Sequence, residues 1–375
     1  LQTSEHGRDA RATDSHASSI PTSTVPPSQF EPYLSIVATA RNDNHGGALL
    51  QRMQAFIDSV IEQCRRFQLP AELILVDWNP PADKPPLRDA LRWPGKQSDA
   101  SPHCQVRVIE VNSELHGRFR HAEALPLFQF IAKNAGIRRA AGRWILATNI
   151  DVLFTDELMQ RTAAQSLEAH RMYRVDRWDV RHDIPLDATQ REQLAWCGAN
   201  VIRINRRTET LDCRSGQVFR IYWEPTWKVQ LLEWLQDAKL VPVVTRKRLH
   251  LNACGDFTLL HRDRWAELRG YPELEMFSMY IDGLLCTAAH FHGVAETMLD
   301  DPCRVYHIEH GIGSGWSPEG QDAMNKRIAA AGIRQLTHDE FHKWSIEMRK
   351  NEAPMQWNDD AWGLRDVSLD EWRVA

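Results

Sequence analysis

Hydrophobic positions along the chain alternate between short unbroken apolar runs and stretches with helical spacing. "YLSIVATARND" (33–43) is an apolar run that ends in polar residues, and it predicts a strand. In "GGALLQRMQAFIDSVIEQCRRF" the apolar positions Leu49, Leu50, Met53, Phe56, Ile57, Val60, Ile61 and Cys64 recur at three and four, which is one face of an amphipathic helix. "AELILVDWNPP" predicts a buried strand, Leu73 to Val76, that ends at Asp77 and is closed by prolines. A third strand follows in "CQVRVIEV" (104–111), a helix in "LPLFQFIAKNAGIRRA", and a fourth strand in "RWILATNIDVLF". Apolar strands joined by crossover helices predict an α/β fold with a mostly parallel central sheet and helices on both faces.

Ligands bind such sheets beyond the carboxyl ends of the strands. Three strands here end in polar groups: Arg41-Asn42-Asp43, Asp77, and Asn149 with Asp151. Those ends are expected on one edge. The stretch from about 160 to 250 is harder to read. "MYRVDRWDV" and "CGANVIRIN" have strand character. "RIYWEPTWKVQLLEWLQDAKLVPVV" carries Tyr222, Trp223, Trp227, Leu231, Leu232, Trp234 and Leu235; the first expectation is a helix packed on the core, and the alternative is a lid or a surface for an apolar acceptor or membrane face. Further on, Phe257 to Leu260 predicts a strand before a short helix that ends at Gly270. Asp282 falls near the start of an apolar helix, where the helix N-terminus favours a carboxylate. His307 and His310 sit where a strand runs into a loop, and from 320 the chain is helical and polar.

Composition narrows the class. The 375 residues are 43% hydrophobic and 25% charged with a net charge of −5, which fits a globular chain and argues against a nucleic-acid partner. Seven cysteines without a Cys-x-x-Cys pair give no disulfide framework or zinc-thiolate site. They lean toward a cytoplasmic setting, with peripheral membrane contact as an option; the Ser-, Thr- and Pro-rich residues 1–30 read as a disordered linker, and equally allow a lumenal stalk below an anchor. The expected organisation is this linker, one half over 31–160, a second half over 161–320 with an insertion at about 160–250, and a C-terminal helical tail over 321–375.

Two sets of residues carry a resemblance. "SIVATARND", "ELILVDWNPP" and "AKNAGIRRAAGRWILATNIDVLF" resemble the nucleotide-sugar half of GT-A (Rossmann-like) glycosyltransferases, especially inverting family 2 enzymes. Ala132-Lys133-Asn134-Ala135-Gly136 matches the Ala-Arg-Asn-x-Gly part of their motif, and Asn149-Ile150-Asp151 falls where their Asp-x-Asp falls. "GDFTLLHRDRWAELRGYPE", "FSMYIDG" and "VYHIEHG" follow the order of the acceptor side of beta-1,4-galactosyltransferase-like enzymes. The resemblance covers about 33–155 and 250–315, and it implies that 31–160 is the nucleotide-sugar-binding half and 161–320 the acceptor-binding half.

The resemblance implies transfer of a sugar from a nucleotide-diphosphate sugar, a UDP-sugar by preference, to an acceptor hydroxyl of a carbohydrate or glycolipid. It implies a divalent cation, manganese or magnesium, held by Asp151 and by His307 or His310. Asp282 takes the place of the general base, and in-line attack inverts the anomeric centre. Thr39, Arg41, Asn42, Asp77, Asn134, Arg138 and Asn149 take donor-binding places, with Arg138 or Arg139 meeting phosphate. Asp256 and Trp316 are candidates for the acceptor side. Asn149 departs from the motif, because a neutral amide is a weaker ligand than the acid it replaces. Rival readings are a silent sugar-nucleotide-binding relative, and a metal-dependent hydrolase built on His290, His292, His307 and His310.

Overall fold

The apolar runs become strands buried from end to end. β1 (Leu34–Ala40) and β2 (Ala71–Trp78) have no exposed residue, as interior parallel strands require. The computed structural model describes residues 30–93, 103–221, 226–310 and 318–374, and Glu31–Ala375 form one compact unit. The linker expected over 1–30 lies outside the described residues, Phe30 excepted.

After β1 come α1 (Leu49–Arg66), β2, α2 (Leu87–Ala90), β3 (Cys104–Val111), α3 (Ser113–His116), α4 (Gln129–Arg138), β4 (Trp144–Thr148), β5 (Val152–Phe154) and α5 (Asp156–Ala163). The middle of the chain forms β6 (Arg171–Arg174), β7 (Asp176–Val180), α6 (Gln190–Ala199), β8 (Val201–Asn205), β9 (Glu209–Asp212), β10 (Val218–Arg220) and α7 (Thr226–Asp237). Then follow β11 (Phe257–His261), α8 (Arg262–Leu268), α9 (Ile281–Phe291), β12 (Ala295–Met298), β13 (Arg304–Ile308), α10 (Pro318–Ala330), α11 (His338–Asn351) and β14 (Asp370–Arg373).

Two sheets share these strands. The larger has the order β12-β6-β11-β4-β1-β2-β3-β14, and only β11 and β14 run against the rest. Alternate residues of its strands feed opposite faces. Ile36, Ala38, Leu73, Leu75 and Leu146 pack with Met53, Phe56, Ile57 and Val60 of α1. Val37, Ile74, Val76, Ile145 and Ala147 pack with Ile131, Ala132 and Ile137 of α4, and with α9 and α11. The fold is therefore α/β, with a mostly parallel central sheet and helices on both faces. Gly136 lets α4 approach: a Cβ there would stand 2.6 Å from Val37 Cγ1 and 3.0 Å from Val76 Cγ2.

The second sheet runs β10-β9-β8-β7-β13-β5. It corrects one expectation. "RWILATNIDVLF" is not one strand but two: Thr148 pairs with Phe257 in the large sheet, whereas Val152 pairs with His307 in the small one. Asn149-Ile150-Asp151 is the crossover between them. Apolar residues flank the break on both sides, so periodicity does not mark it. "MYRVDRWDV" splits in the same way between β6 and β7.

α7 is the second correction. It is not packed on the core: Trp227, Leu231 and Trp234 are 62%, 48% and 59% exposed. These residues are spaced at i, i+4 and i+7 and form one face. Trp223 lies outside the described residues. The tail adds a third difference. Besides α10 and α11 it carries β14, an edge strand antiparallel to β3. Among the described residues no helix is long and apolar enough to cross a membrane.

Candidate functional site

The parallel register sets Ala40 beside Asp77 and Val37 beside Ala147, so the carboxyl ends of β2, β1 and β4 lie next to one another along one edge. At the β1 end, Arg41 Nε donates to Asn79 O at 2.7 Å and pairs with Asp43 at 3.3 Å, and Asn42 Nδ2 donates to Pro85 O at 2.9 Å. Both side chains brace the loops after β1 and β2. Thr39 Oγ1 donates to Val76 O at 2.9 Å, within the sheet. Asp77 is fully buried. Its Oδ2 accepts from Leu87 N at 2.7 Å, and its Oδ1 accepts no hydrogen bond among the described residues. Burial pushes this carboxyl up to about 7, only partly offset by the Leu87 N–H.

The crossover to the small sheet brings Asp151 to His307 and His310. One ligand atom from each lies within 4.8 Å of the others. Asp151 Oδ2 is 3.0 Å from His310 Nε2 and 3.8 Å from His307 Nε2, and Asp151 Oδ1 is buried and accepts no hydrogen bond among the described residues. Burial would raise the Asp151 carboxyl, but His307, His310 and Arg52 outweigh it and hold it well below the usual range. Burial pulls the His307 imidazole down, and Asp151 and Asp179 pull it up further, so the net displacement is upward. Both histidines reach Asp151, where one was expected. His290 and His292 do not: His292 pairs with Glu267 at 2.9 Å and His290 packs against Phe291.

The glycine turn after β1 closes on His310. Gly46 has φ +69, and a Cβ there would stand 2.3 Å from His310 Nδ1. Arg52 of α1 donates to the carbonyls of Gly47 and His45 and so holds this turn. A cavity of about 440 Å³ opens here, lined by Gly46, Gly47, Ala48, Arg52, His182, Glu309 and His310. That volume falls within the range of small-molecule pockets.

The donor set fits a divalent cation. One carboxylate and two imidazoles converge, and a buried carboxylate oxygen is unspent. Two ring nitrogens suit manganese better than magnesium, which prefers oxygen ligands throughout.

Several expected residues lie elsewhere. Asn134 is fully buried. Its amide exchanges hydrogen bonds with the Tyr271 backbone and donates to Glu273, so it joins α4 to the segment after α8 and does not reach the site. Arg138 lies over the Trp362 ring, and Arg139 donates to the carbonyls of Gly363, Leu364 and Val367. Both sit at the C-terminal end of α4, which runs back along the sheet to the edge where β4 starts, away from the carboxyl ends. Asn149 faces inward: its Oδ1 accepts from Lys133 Nζ at 2.8 Å and Gln129 at 3.0 Å, and its Nδ2 donates to Asp256. Asp256 is buried, with one oxygen on Asn149 and the other on Arg177 at 2.7 Å, so both of its oxygens are engaged within the fold. Asp282 is half-buried in the first turn of α9. Its Oδ1 accepts from Gly283 N at 2.9 Å, and its Oδ2 stands 3.1 Å from where a Gly255 Cβ would be. Trp316 lies outside the described residues.

Two buried charged residues beside the candidate site had not been singled out. Lys133 is fully buried, donates to Asn149 and to Gly255 O at 3.0 Å, and faces the charges of Asp256, Asp282 and Asp151. Burial pulls its ammonium down to about 8 against those carboxylates. The available signal was a lysine at i+4 from Gln129 between apolar positions of α4. Asp179 on β7 is the other; its Oδ1 is 3.0 Å from His307 Nδ1.

No protein-family model matches this chain. No curated protein matches it either. Among solved structures, it is similar to S. aureus TarS residues 1–349, with a TM-score of 0.42 and 13% identity over 85% of this chain and 71% of that one. The same fragment in complex with UDP gives 0.41 and 15%, over 85% and 70%. S. aureus TarS gives 0.40 and 13%, over 85% of this chain and 43% of that one. At that level of similarity the functional reading rests on the geometry of the site itself.

Proposed function

We propose that this chain is a glycosyltransferase. It moves a sugar from a nucleotide-diphosphate sugar, a UDP-sugar by preference, to a hydroxyl of a carbohydrate or glycolipid acceptor. The observation that carries the reading is the gathering of Asp151, His307 and His310 at the carboxyl edge of an α/β sheet, along the same edge as the unspent buried oxygen of Asp77. Asp151, His307 and His310 would hold a divalent cation. When bound, that ion would neutralise charge developing on a diphosphate leaving group.

The chain's own residues do the rest. Asp77 takes a nucleoside donor group, and the Arg41–Asn79 and Asn42–Pro85 contacts fix the loops around it. Asp282 accepts the proton of the acceptor hydroxyl. The acceptor oxygen then bonds to the anomeric carbon as the bond to the diphosphate oxygen breaks, and that electron pair leaves with the nucleoside diphosphate. Attack opposite the leaving group inverts the centre. The exposed face of α7 suits a lipid-linked acceptor at a membrane surface, where tryptophan is favoured. A hydrolase built on four histidines is disfavoured, because His290 and His292 are engaged elsewhere.

The test is release of nucleoside diphosphate from a panel of sugar nucleotides with manganese, comparing wild type with Asp282→Ala. Loss of a general base lowers turnover by about 10²–10⁴-fold. Near-normal turnover in Asp282→Ala would remove the base from this account. No release with any donor would remove the transferase reading.

A further inference from the structure

We propose that Asp179 is the positioning carboxylate of this site. It fixes His307 in the tautomer whose Nε2 lone pair faces Asp151 and a divalent cation. The proposal rests on the metal-binding reading above and adds the residue that sets the geometry of one ligand.

Asp179 is fully buried on β7, and β13 pairs with β7 so that His307 stands opposite it. Arg177 pairs with its Oδ1 at 2.9 Å, Arg203 donates to its Oδ2 at 2.9 Å, and Asn205 Nδ2 donates to the same oxygen at 3.0 Å. A carboxylate paired with two guanidinium groups accepts and does not donate, so the 3.0 Å contact places the proton on His307 Nδ1. The neutral ring then has its lone pair on Nε2, the atom that faces Asp151. At 3.8 Å that pair is too long for a hydrogen bond.

The support continues inward. Arg177 joins Asp179 to Asp256, Asp256 accepts from Asn149, and Asn149 accepts from Lys133, which also binds Gly255 O. An unbroken series of polar contacts thus runs from His307 toward the turn beside Asp282. It also accounts for Asn149: the neutral amide accepts from Lys133 and donates to Asp256, two roles that a carboxylate could not fill together.

Calorimetric titration of Mn²⁺ into wild type, Asp179→Asn, His307→Ala and the double variant tests the proposal. Removing such a supporting carboxylate weakens metal affinity by about 10–100-fold. The double variant should bind no more weakly than His307→Ala, because both act through one ligand. Unchanged Mn²⁺ affinity in folded Asp179→Asn, or additive losses, would overturn the proposal. Should Asp179→Asn fail to fold, a histidine ¹⁵N correlation spectrum of the wild-type protein at alkaline pH decides. His307 protonated on Nδ1 supports the assignment, and His307 protonated on Nε2 overturns it. Wild type that binds no Mn²⁺ would contradict the metal reading of the preceding section, while the tautomer would still judge Asp179.

Discussion

Asp77 is a buried carboxyl whose charged form the fold disfavours. Its carboxyl is pushed from 3.8 to about 7, so across that window the folded chain keeps a proton that the unfolded chain has released. Stability therefore falls as pH rises from 3.8 to about 7, and stays lower above it. Asp77→Asn should flatten that fall and raise stability at neutral pH by on the order of 1–3 kcal/mol, read from urea unfolding at several pH values. The same substitution should weaken donor binding, the trade expected where a site stores strain for function. Lys133 acts in the opposite sense. Its ammonium is pulled from 10.5 to about 8, so stability rises with pH over that interval, and Lys133→Met should abolish the rise. Asp151 stood out in the sequence as a polar residue after an apolar run and His307 and His310 as a strand-to-loop pair, and the resemblance gave all three their expected metal role. Asp179 and Lys133 did not stand out. Asp179 lies in an alternating charged segment, and Lys133 looked like one side of a motif whose neighbour, Asn134, turned out to be structural.

At the scale of elements, close backbone approach sets the site. Gly136→Ala should lower stability by ~1–3 kcal/mol in chemical denaturation, because a Cβ there meets Val37 and Val76 of a packed sheet. Gly46→Ala should act differently, leaving the core intact and weakening metal binding, since its Cβ would strike His310 at a positive φ. Strands β1 to β4 and helices α1 and α4 were legible because their apolar spacing is set by burial on a two-sided sheet. The break between β4 and β5 was not, because both sheets demand apolar residues and the crossover is only three residues long. β14 escaped for another reason: four residues of mixed charge at a sheet edge carry no periodic signal.

For the whole molecule, the large sheet joins β1–β4 to β6, β11 and β12, and the small sheet supplies His307 and Asp179. No single stretch of sequence contains the site, and pairing between distant strands assembles it. The exposed face of α7 also belongs to this scale. Paired Trp227→Ser and Trp234→Ser substitutions should leave the melting temperature nearly unchanged, because both side chains are more than half exposed. They should reduce sedimentation with lipid vesicles, if that face meets a membrane. The central claim is that Asp151, His307 and His310 hold a divalent cation that a nucleoside diphosphate shares. The most direct measurement is titration of UDP into the wild-type protein with manganese and again after chelation, with Asp151→Ala alongside. The account predicts UDP binding with manganese that is lost on chelation and in Asp151→Ala; binding of equal strength in all three samples, or in none, would contradict it.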